Sequence, residues 1–319
     1  MKTTSLSPII IFSYRRMICK TIDSLLLNKI AENSLLFIFS DGSKNDTDYL
    51  DIKKLREYLK TIKGFKNIHI FESLVNRGLA TSIISGVTEV IKEYGKAIVV
   101  EDDLIVSIDF LEYMNEALNY YEYDNTIWSI SGYSPKLPFL ENYKKDIFLS
   151  PRSSSWGWGT WYNRWSKIDW EIKDWLDFKK NKKQKKFFNN SGNDMFKMLE
   201  LQMLGKIDSW AIRWCYNQYK HNAFAVYPRK SKIINDGFTD GKGTHNSGFS
   251  KKWVVDLDNN KVHFENILLD NTLITRLRHF HNLRLSTRFG YFFRKYGAYL
   301  LIKTIYNYII TNILYRNSD

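Results

Sequence analysis

The sequence is poor in cysteine: its 319 residues include only Cys19 and Cys215. Two cysteines provide neither a disulfide framework nor the ligand spacing of a cysteine-based zinc site, so neither a disulfide-stapled secreted domain nor a fold built on such a zinc site is expected. We also expect no signal peptide, because the apolar run at residues 8–12 is too short for one. Together these absences predict a protein of the reducing cytoplasm.

Glycine-rich phosphate-binding loops are absent as well. Neither Gly-x-Gly-x-x-Gly nor Gly-Lys-Ser/Thr follows the first apolar run, which makes dinucleotide dehydrogenases and P-loop NTPases poor fits. A sugar nucleotidyltransferase would require a glycine-rich, lysine-containing loop at this position, and residues 13–16 contain neither glycine nor lysine. A nucleotide site on this chain must neutralise a diphosphate in another way, and a divalent cation held by carboxylates does so.

Negative charge is missing from two segments that carry the whole net charge of +13. Residues 179–186 hold six lysines and no acid, and residues 276–319 hold eight Lys or Arg against Asp319. The two segments contribute +6 and +7, so the rest of the chain is neutral. This distribution argues against a nucleic-acid partner and favours local contacts with an anionic membrane leaflet. For the lysine run taken alone, a solvated surface turn is the preferred interpretation over contact with a specific partner.

A basic, aromatic tail is predicted over residues 266–319. Residues 289–315 contain six tyrosines with flanking cations, a composition typical of the membrane interface. The uncharged stretch at residues 304–315 is too short to span a bilayer. We therefore expect a helical tail in peripheral contact with the inner face of the cell membrane. The alternative is a helix that packs on its own domain or on a second subunit.

The first half alternates short apolar runs with longer amphipathic segments. This alternation predicts βαβ units and a mostly parallel sheet. Ser107 is the candidate N-cap of the fourth helix. The predicted strands are residues 9–12, 35–40, 68–72, 97–101 and 127–131, and the predicted helices are residues 17–28, 49–62, 79–94 and 107–121.

Polar side chains follow each of the first four predicted strands. Glu101, Asp102 and Asp103 come directly after an apolar run, and clustered carboxylates repel one another unless a cation compensates them. The other strands lead into residues 13–16 (Ser-Tyr-Arg-Arg), residues 40–43 (Ser-Asp-Gly-Ser) and residues 76–78 (Asn-Arg-Gly), the last at a helix N-terminus that could face phosphate. Each has an ordinary turn explanation. Because the carboxyl ends of parallel strands share one sheet edge, together they predict a nucleotide-diphosphate site with a metal.

The second half is rich in tryptophan and less regular. Residues 153–161 mix serine and glycine with three tryptophans, which suits a bent loop that lines a cleft. Tryptophan can stack on a sugar ring as well as fill a core. For Trp156 and Trp158 we weigh both roles equally, and for most of the other tryptophans the core is the expected place.

These motifs resemble the GT-A class of glycosyltransferases. Residues 8–16, 40–43 and 76–78 are similar to family 2 enzymes, and residues 99–104 (Val-Val-Glu-Asp-Asp-Leu) with residues 110–113 are similar to the N-acetylglucosaminyltransferase I type. That type also has an aromatic-glycine loop, an acid-tryptophan pair and a late Gly-x-Ser/Thr-His segment, which correspond here to residues 156–161, residues 208–210 and residues 241–245. The resemblance covers residues 8–250 and leaves the tail out.

The resemblance implies a Rossmann-like GT-A fold, α/β, with a mixed, mostly parallel sheet flanked by helices. Residues 1–132 would form its nucleotide-sugar-binding half and residues 133–265 its acceptor-binding half. It also implies a divalent cation, Mn²⁺ or Mg²⁺. The implied site residues are Ser13, Tyr14, Arg15, Asp41, Arg77, Glu101 and Asp102 for the donor; Asp103 and His245 for the metal; Asp208 as general base; and Trp156, Trp158 and Trp210 for the acceptor.

The implied activity is metal-dependent, inverting transfer of a sugar from a nucleotide-diphosphate sugar, most simply a UDP-sugar, to a surface glycan or glycolipid. Asp208 would take the proton of the acceptor hydroxyl, although an acid at the start of a predicted helix is ordinarily an N-cap. Arg213 is a further candidate phosphate contact. Two alternatives remain: a sugar nucleotidyltransferase, and a non-catalytic glycan-binding protein on the same fold.

Overall fold

The computed structural model describes residues 6–237 and 253–283. In chain order, the described strands are β1 (Ile9–Ser13), β2 (Leu35–Ser40), β3 (Asn67–Glu72), β4 (Lys96–Glu101), β5 (Leu104–Val106), β6 (Ile127–Ser131), β7 (Ile147–Ser150), β8 (Trp158–Trp161), β9 (Phe224–Pro228) and β10 (Ile233–Asn235). The described helices are α1 (Cys19–Leu26), α2 (Asp46–Leu59), α3 (Leu79–Tyr94), α4 (Phe110–Tyr120), α5 (Pro138–Glu141), α6 (Tyr162–Trp165), α7 (Trp175–Lys180), α8 (Lys182–Phe188), α9 (Met195–Met203), α10 (Trp210–Lys220) and α11 (Asn271–His281).

Eight strands form one sheet in the order β3-β2-β1-β4-β8-β6-β9-β7. The block from β3 to β4 is parallel, β8 runs antiparallel to both of its neighbours, and β6 and β9 are parallel. Strand β7 closes the far edge antiparallel to β9. The predicted fold class, α/β with a mixed, mostly parallel sheet flanked by helices, is confirmed. Since β8 lies between β4 and β6, both halves of the chain build the same sheet.

The central strands are buried on both faces, which explains their continuous apolar runs. In β1, Ile9 and Ile11 pack into the core layer of α1 and α2, whereas Ile10 and Phe12 pack into the layer of α3 and α10. A strand sends alternate side chains to opposite faces, so β1 needs large apolar residues at each position from Ile9 to Phe12.

The first half was predicted well from its sequence pattern. Strands β2 and β6 and helix α3 have the predicted bounds, and the other predicted elements differ by a few residues at their ends. Helix α4 starts at Phe110 and not at Ser107, because the Ser107 hydroxyl donates a hydrogen bond to the Asp109 carboxylate and caps no helix N–H group.

Two predictions for the second half were wrong. Residues 158–161 are not a loop but strand β8, in the middle of the sheet. The lysine run at residues 179–186 is not a turn either: it spans the end of α7 and most of α8, with Asn181 between them as the N-cap of α8. The small antiparallel ribbon of β5 and β10 was not foreseen.

The C-terminal segment is described only in part. Helix α11 lies in the predicted tail, with Asp270 as its N-cap, and the prediction of membrane contact by residues 289–315 falls outside the described residues. Within the described part of the chain, every helix is too short or too polar to cross a membrane.

Candidate functional site

The acidic run lies where β4 ends, at the carboxyl edge of the parallel block. Glu101 is the last residue of β4, and Asp102 and Asp103 form the turn into β5. Burial raises the pKa of Asp102 to about 7, with repulsion from Asp103 as the second cause. Burial, and then repulsion from its two neighbours, holds the pKa of Glu101 well above its usual range. Three half-buried carboxylates this close together favour the binding of a cation.

Arg16 supplies one positive charge to this run. It follows β1, which is the neighbour of β4, and its Nη1 atom lies 3.0 Å from Asp103 Oδ2. The two side chains are only 15% and 20% exposed. Burial raises the pKa of Asp103, and Arg16 opposes that rise through its charge and a hydrogen bond. The sequence placed Arg16 in this loop but gave no sign that it, and not Arg15, faces the acids.

A turn from the far end of the chain completes the surroundings of Asp103. Pairing of β5 with β10 puts Asn235 opposite Leu104, and the Asp236 N–H donates to the Asp103 carbonyl oxygen at 2.8 Å. The Asn235 side chain also donates to the Asp103 carboxylate. At Gly237, a Cβ atom would lie 2.7 Å from Arg16 Nη1 and closer still to Asp103 Oδ2, so any other residue here would displace this ion pair. Asn-Asp-Gly is a common turn sequence, so nothing in the sequence indicated that these residues belong to the site.

The fit of a divalent cation can be judged at Asp103. Its Oδ1 atom is buried and has no hydrogen-bond partner among the described residues. Residues 6–237 and 253–283 contain no group of three or more His, Cys, Asp or Glu side chains that could hold a metal, and His245 lies outside them. Mg²⁺ is commonly held by one or two carboxylates, with waters and substrate phosphates as the other ligands. Asp103 fits a sparse site of that kind.

Asp41, directly after β2, is engaged by the chain itself. Its carboxylate accepts the backbone N–H groups of Gly42, Arg77 and Gly78 at 2.9, 2.8 and 3.1 Å. Gly78 has φ +79°, a left-handed conformation that glycine adopts without strain. Asp41 therefore fixes the entry into α3, and one further acceptor position remains for a ligand.

Asp208 lies at the same helix entry. Its Oδ2 atom accepts the Ala80 N–H at 3.3 Å, and its Oδ1 atom lies 3.8 Å from the Arg213 guanidinium. The N-cap of α10 is Ser209, whose hydroxyl accepts the Ile212 N–H. Asp208 thus caps α3 from the second half of the chain and not its own helix. With Asp41 and Asp208 on its first N–H groups, the α3 N-terminus is already occupied by carboxylates and differs from the open phosphate site that the sequence suggested.

The loop after β1 holds the remaining predicted donor residues. Ser13 is buried, and its hydroxyl has no hydrogen-bond partner among the residues described. Tyr14 donates its hydroxyl to Asp48, and Arg15 Nη1 donates to the same carboxylate at 2.9 Å. The Arg15 side chain is 51% exposed. The side chains of Arg15 and Arg77 therefore face solvent near the sheet edge, where each can still meet a ligand.

The three tryptophans predicted to bind an acceptor differ in their surroundings. Trp158 and Trp210 are core side chains, 1% and 4% exposed, and their rings stack with centroids 4.8 Å apart. Both rings are nearly covered in this structure, and the acceptor role of these two residues stays a prediction. Trp156 is half-buried and packs edge-on against Tyr133, so it remains the candidate acceptor contact.

Comparisons with known proteins are remote. No protein-family model and no curated protein matches the chain. Among solved structures, it is similar to a UDP-glucose pyrophosphorylase complexed with UDP-glucose, with 9% identity and a TM-score of 0.27 over 51% of this chain and 80% of that one. It is also similar to the apo structure of the bifunctional glycosyltransferase WbbM, with 11% identity and a TM-score of 0.29 over 69% of this chain and 38% of that one. Neither likeness bears on the ligand or activity of this chain.

Proposed function

We propose that this protein is a glycosyltransferase that uses a nucleotide-diphosphate sugar as donor. The observation that carries this function is the half-buried acidic run at the end of β4, in which Asp103 pairs with Arg16. It lies at the carboxyl edge of a parallel block, where α/β sheets bind their ligands, and strand β1 separates it from β2 and Asp41.

The donor would lie across the ends of β1, β2 and β4. Asp41 has one acceptor position left for the base or ribose, and Glu101 and Asp102 would face the nucleotide and sugar. The exposed guanidinium groups of Arg15 and Arg77 suit the diphosphate, because arginine pairs with phosphate oxygens in a planar, bidentate way.

A divalent cation, Mn²⁺ or Mg²⁺, would be held by the Oδ1 atom of Asp103 and, in the GT-A resemblance, by His245. When bound, such a cation neutralises charge on the departing diphosphate. The chain's own part is to hold Asp103 in place: the Asn235 side chain donates to its carboxylate, and the Asp236 N–H donates to its carbonyl oxygen. A pre-positioned ligand lowers the ordering cost of binding.

Asp208 is the proposed general base. Its side chain is 58% exposed, and the Ala80 N–H group holds one of its oxygens in place. A carboxylate that accepts the proton of the acceptor hydroxyl, on the face opposite the leaving diphosphate, gives direct displacement and inversion at the anomeric carbon. The acceptor class, a surface glycan or a lipid-linked sugar, comes from the GT-A resemblance, with Trp156 as the aromatic contact.

The test is a screen of UDP- and GDP-sugars for turnover with Mn²⁺, using the full chain. We expect one donor to be hydrolysed or transferred, and D103A and D208N to lose at least about a hundredfold in kcat. The control is D256N, because Asp256 is 82% exposed and pairs only with Lys136 among the described residues. Pyrophosphate release from a nucleoside triphosphate and a sugar 1-phosphate would instead indicate a nucleotidyltransferase.

Glycan binding that survives D103A, without turnover of any donor, would indicate a binding protein. Thermal stabilisation is the second readout of the same screen. If no nucleotide diphosphate stabilises the chain and none is consumed, the proposed activity is wrong.

A further inference from the structure

Arg16 is the residue of this site that the proposed activity leaves without a role. It is nearly buried, and it lies against the one carboxylate that is the candidate metal ligand. Its charge also acts on Asp102, whose pKa it lowers against the effects of burial and Asp103. A guanidinium is charged at every relevant pH, so the acidic run always contains one fixed cation.

The two oxygens of Asp103 are in different situations. Oδ2 is paired with Arg16 Nη1 at 3.0 Å, while Oδ1 is buried without a hydrogen-bond partner among the described residues. Gly237 allows this pair to form, because a side chain there would overlap both Arg16 and Asp103. The ion pair is therefore built into the packing and is not an adaptable surface contact.

We propose that Arg16 is a resident counter-ion that competes with a divalent cation for Asp103 and so makes cation binding depend on a nucleotide diphosphate. This role rests on the proposed donor chemistry. With Arg16 on Asp103, an incoming cation meets a carboxylate that is already neutralised and a like charge beside it. When a diphosphate enters, its oxygens offer Arg16 a bidentate partner, and Asp103 becomes available to the cation.

Replacement of an ordinary metal-site residue weakens the binding of the cation, whereas replacement of Arg16 should strengthen it. Removal of Arg16 leaves three carboxylates without its charge. Without nucleotide, the variant should then bind a divalent cation more tightly than the wild type. An arginine beside a carboxylate changes the proton affinity of that carboxylate by about 10- to 1,000-fold. We therefore expect R16Q to bind Mn²⁺ alone about tenfold tighter or more, and to gain less from UDP.

The experiment is a titration of the full chain with Mn²⁺, with and without UDP, in which the electron paramagnetic resonance signal reports free Mn²⁺. The variants are R16Q, the charge-keeping R16K, and R278Q as a matched control on α11, where Arg278 is exposed and its guanidinium donates to Asn190. R16K, which keeps the charge, should bind Mn²⁺ alone as weakly as the wild type, and R278Q should behave like the wild type with and without UDP. An R16Q protein that binds Mn²⁺ alone no tighter than the wild type overturns the role of Arg16.

The wild type gives a second measurement that does not depend on the folding of R16Q. UDP should tighten its Mn²⁺ binding by about tenfold or more, and equal affinity with and without UDP also overturns the proposal. The two proposals fail separately. If R16Q binds Mn²⁺ more tightly but no donor is turned over, the transferase activity is rejected and the role of Arg16 as counter-ion is kept. If a donor is turned over but R16Q binds Mn²⁺ with the affinity of the wild type, the role of Arg16 is rejected and the transferase activity is kept.

Discussion

Replacement of Asp41 by Ala separates a structural role of this carboxylate from a donor-binding one. In the folded protein the carboxylate accepts three backbone N–H groups, from Gly42, Arg77 and Gly78, at 2.8–3.1 Å. It thereby joins the end of β2 to the start of α3. D41A leaves all three donors without their acceptor, and the loop must rearrange or admit water.

The size of the effect follows from those contacts. A hydrogen bond to a charged group contributes about 1.5–3 kcal/mol, and loss of a capping side chain costs about 0.5–2 kcal/mol. The three bonds share one half-exposed carboxylate and are not additive. We therefore expect D41A to lower the free energy of unfolding by about 2–3 kcal/mol. D41N keeps one carbonyl oxygen as acceptor and should lose about 1 kcal/mol.

The assay is urea unfolding of the full chain, with D256A as the control for loss of an exposed carboxylate. D256A should change the free energy of unfolding by less than about 0.5 kcal/mol. A D41A protein as stable as D256A would refute the structural reasoning, because the three N–H groups would then need no carboxylate. If that protein also lost its affinity for UDP, Asp41 would be assigned to the donor alone.

Three further predictions concern the protein away from Asp41. Trp158→Ala should cost about 3–5 kcal/mol in urea unfolding, since the ring is a buried core side chain; unchanged stability would contradict that assignment. Lys232→Met should cost about 3–5 kcal/mol, because fully buried Lys232 lies 2.7 Å from Asp109 and that carboxylate would lose its charged partner and keep, among the described residues, only the Ser107 hydroxyl. The pKa of Asp174 is lowered: burial opposes this shift, but a hydrogen bond from Lys220 favours it. Its stabilising effect is present above the ordinary aspartate pKa and is lost as the pH falls below about 4, so D174N should show a shallower loss of stability there.

The fold could be predicted where the sequence pattern is local. Strands β1, β2 and β4 are continuous apolar runs because helices cover both faces of the sheet, and α3 ends at a glycine in the left-handed conformation, φ +77°. Strand β8 was missed because its Trp-Gly-Thr-Trp sequence lacks any apolar run. Its glycine lets Met114 and Leu118 of α4 pack close to the strand, a reason that exists only in three dimensions.

The site was predictable to the extent that it follows from strand ends. Parallel strands bring their carboxyl ends to one edge, so the sequence alone predicts Asp41 and Asp103 at the same edge of the sheet. It does not state which of two adjacent arginines turns towards the acids. Asp208 shows the limit most clearly: beside a helix in the sequence, an acid is ordinarily that helix's N-cap, but here Ser209 takes that position and Asp208 caps α3 instead. The helix N–H group that Asp208 caps, that of Ala80, lies 128 residues earlier in the sequence. The carboxylate therefore does not cap its own helix, although its Oδ1 atom lies 3.8 Å from Arg213 of that helix; the Ala80 N–H group holds it at the start of α3, where we propose that it meets the acceptor.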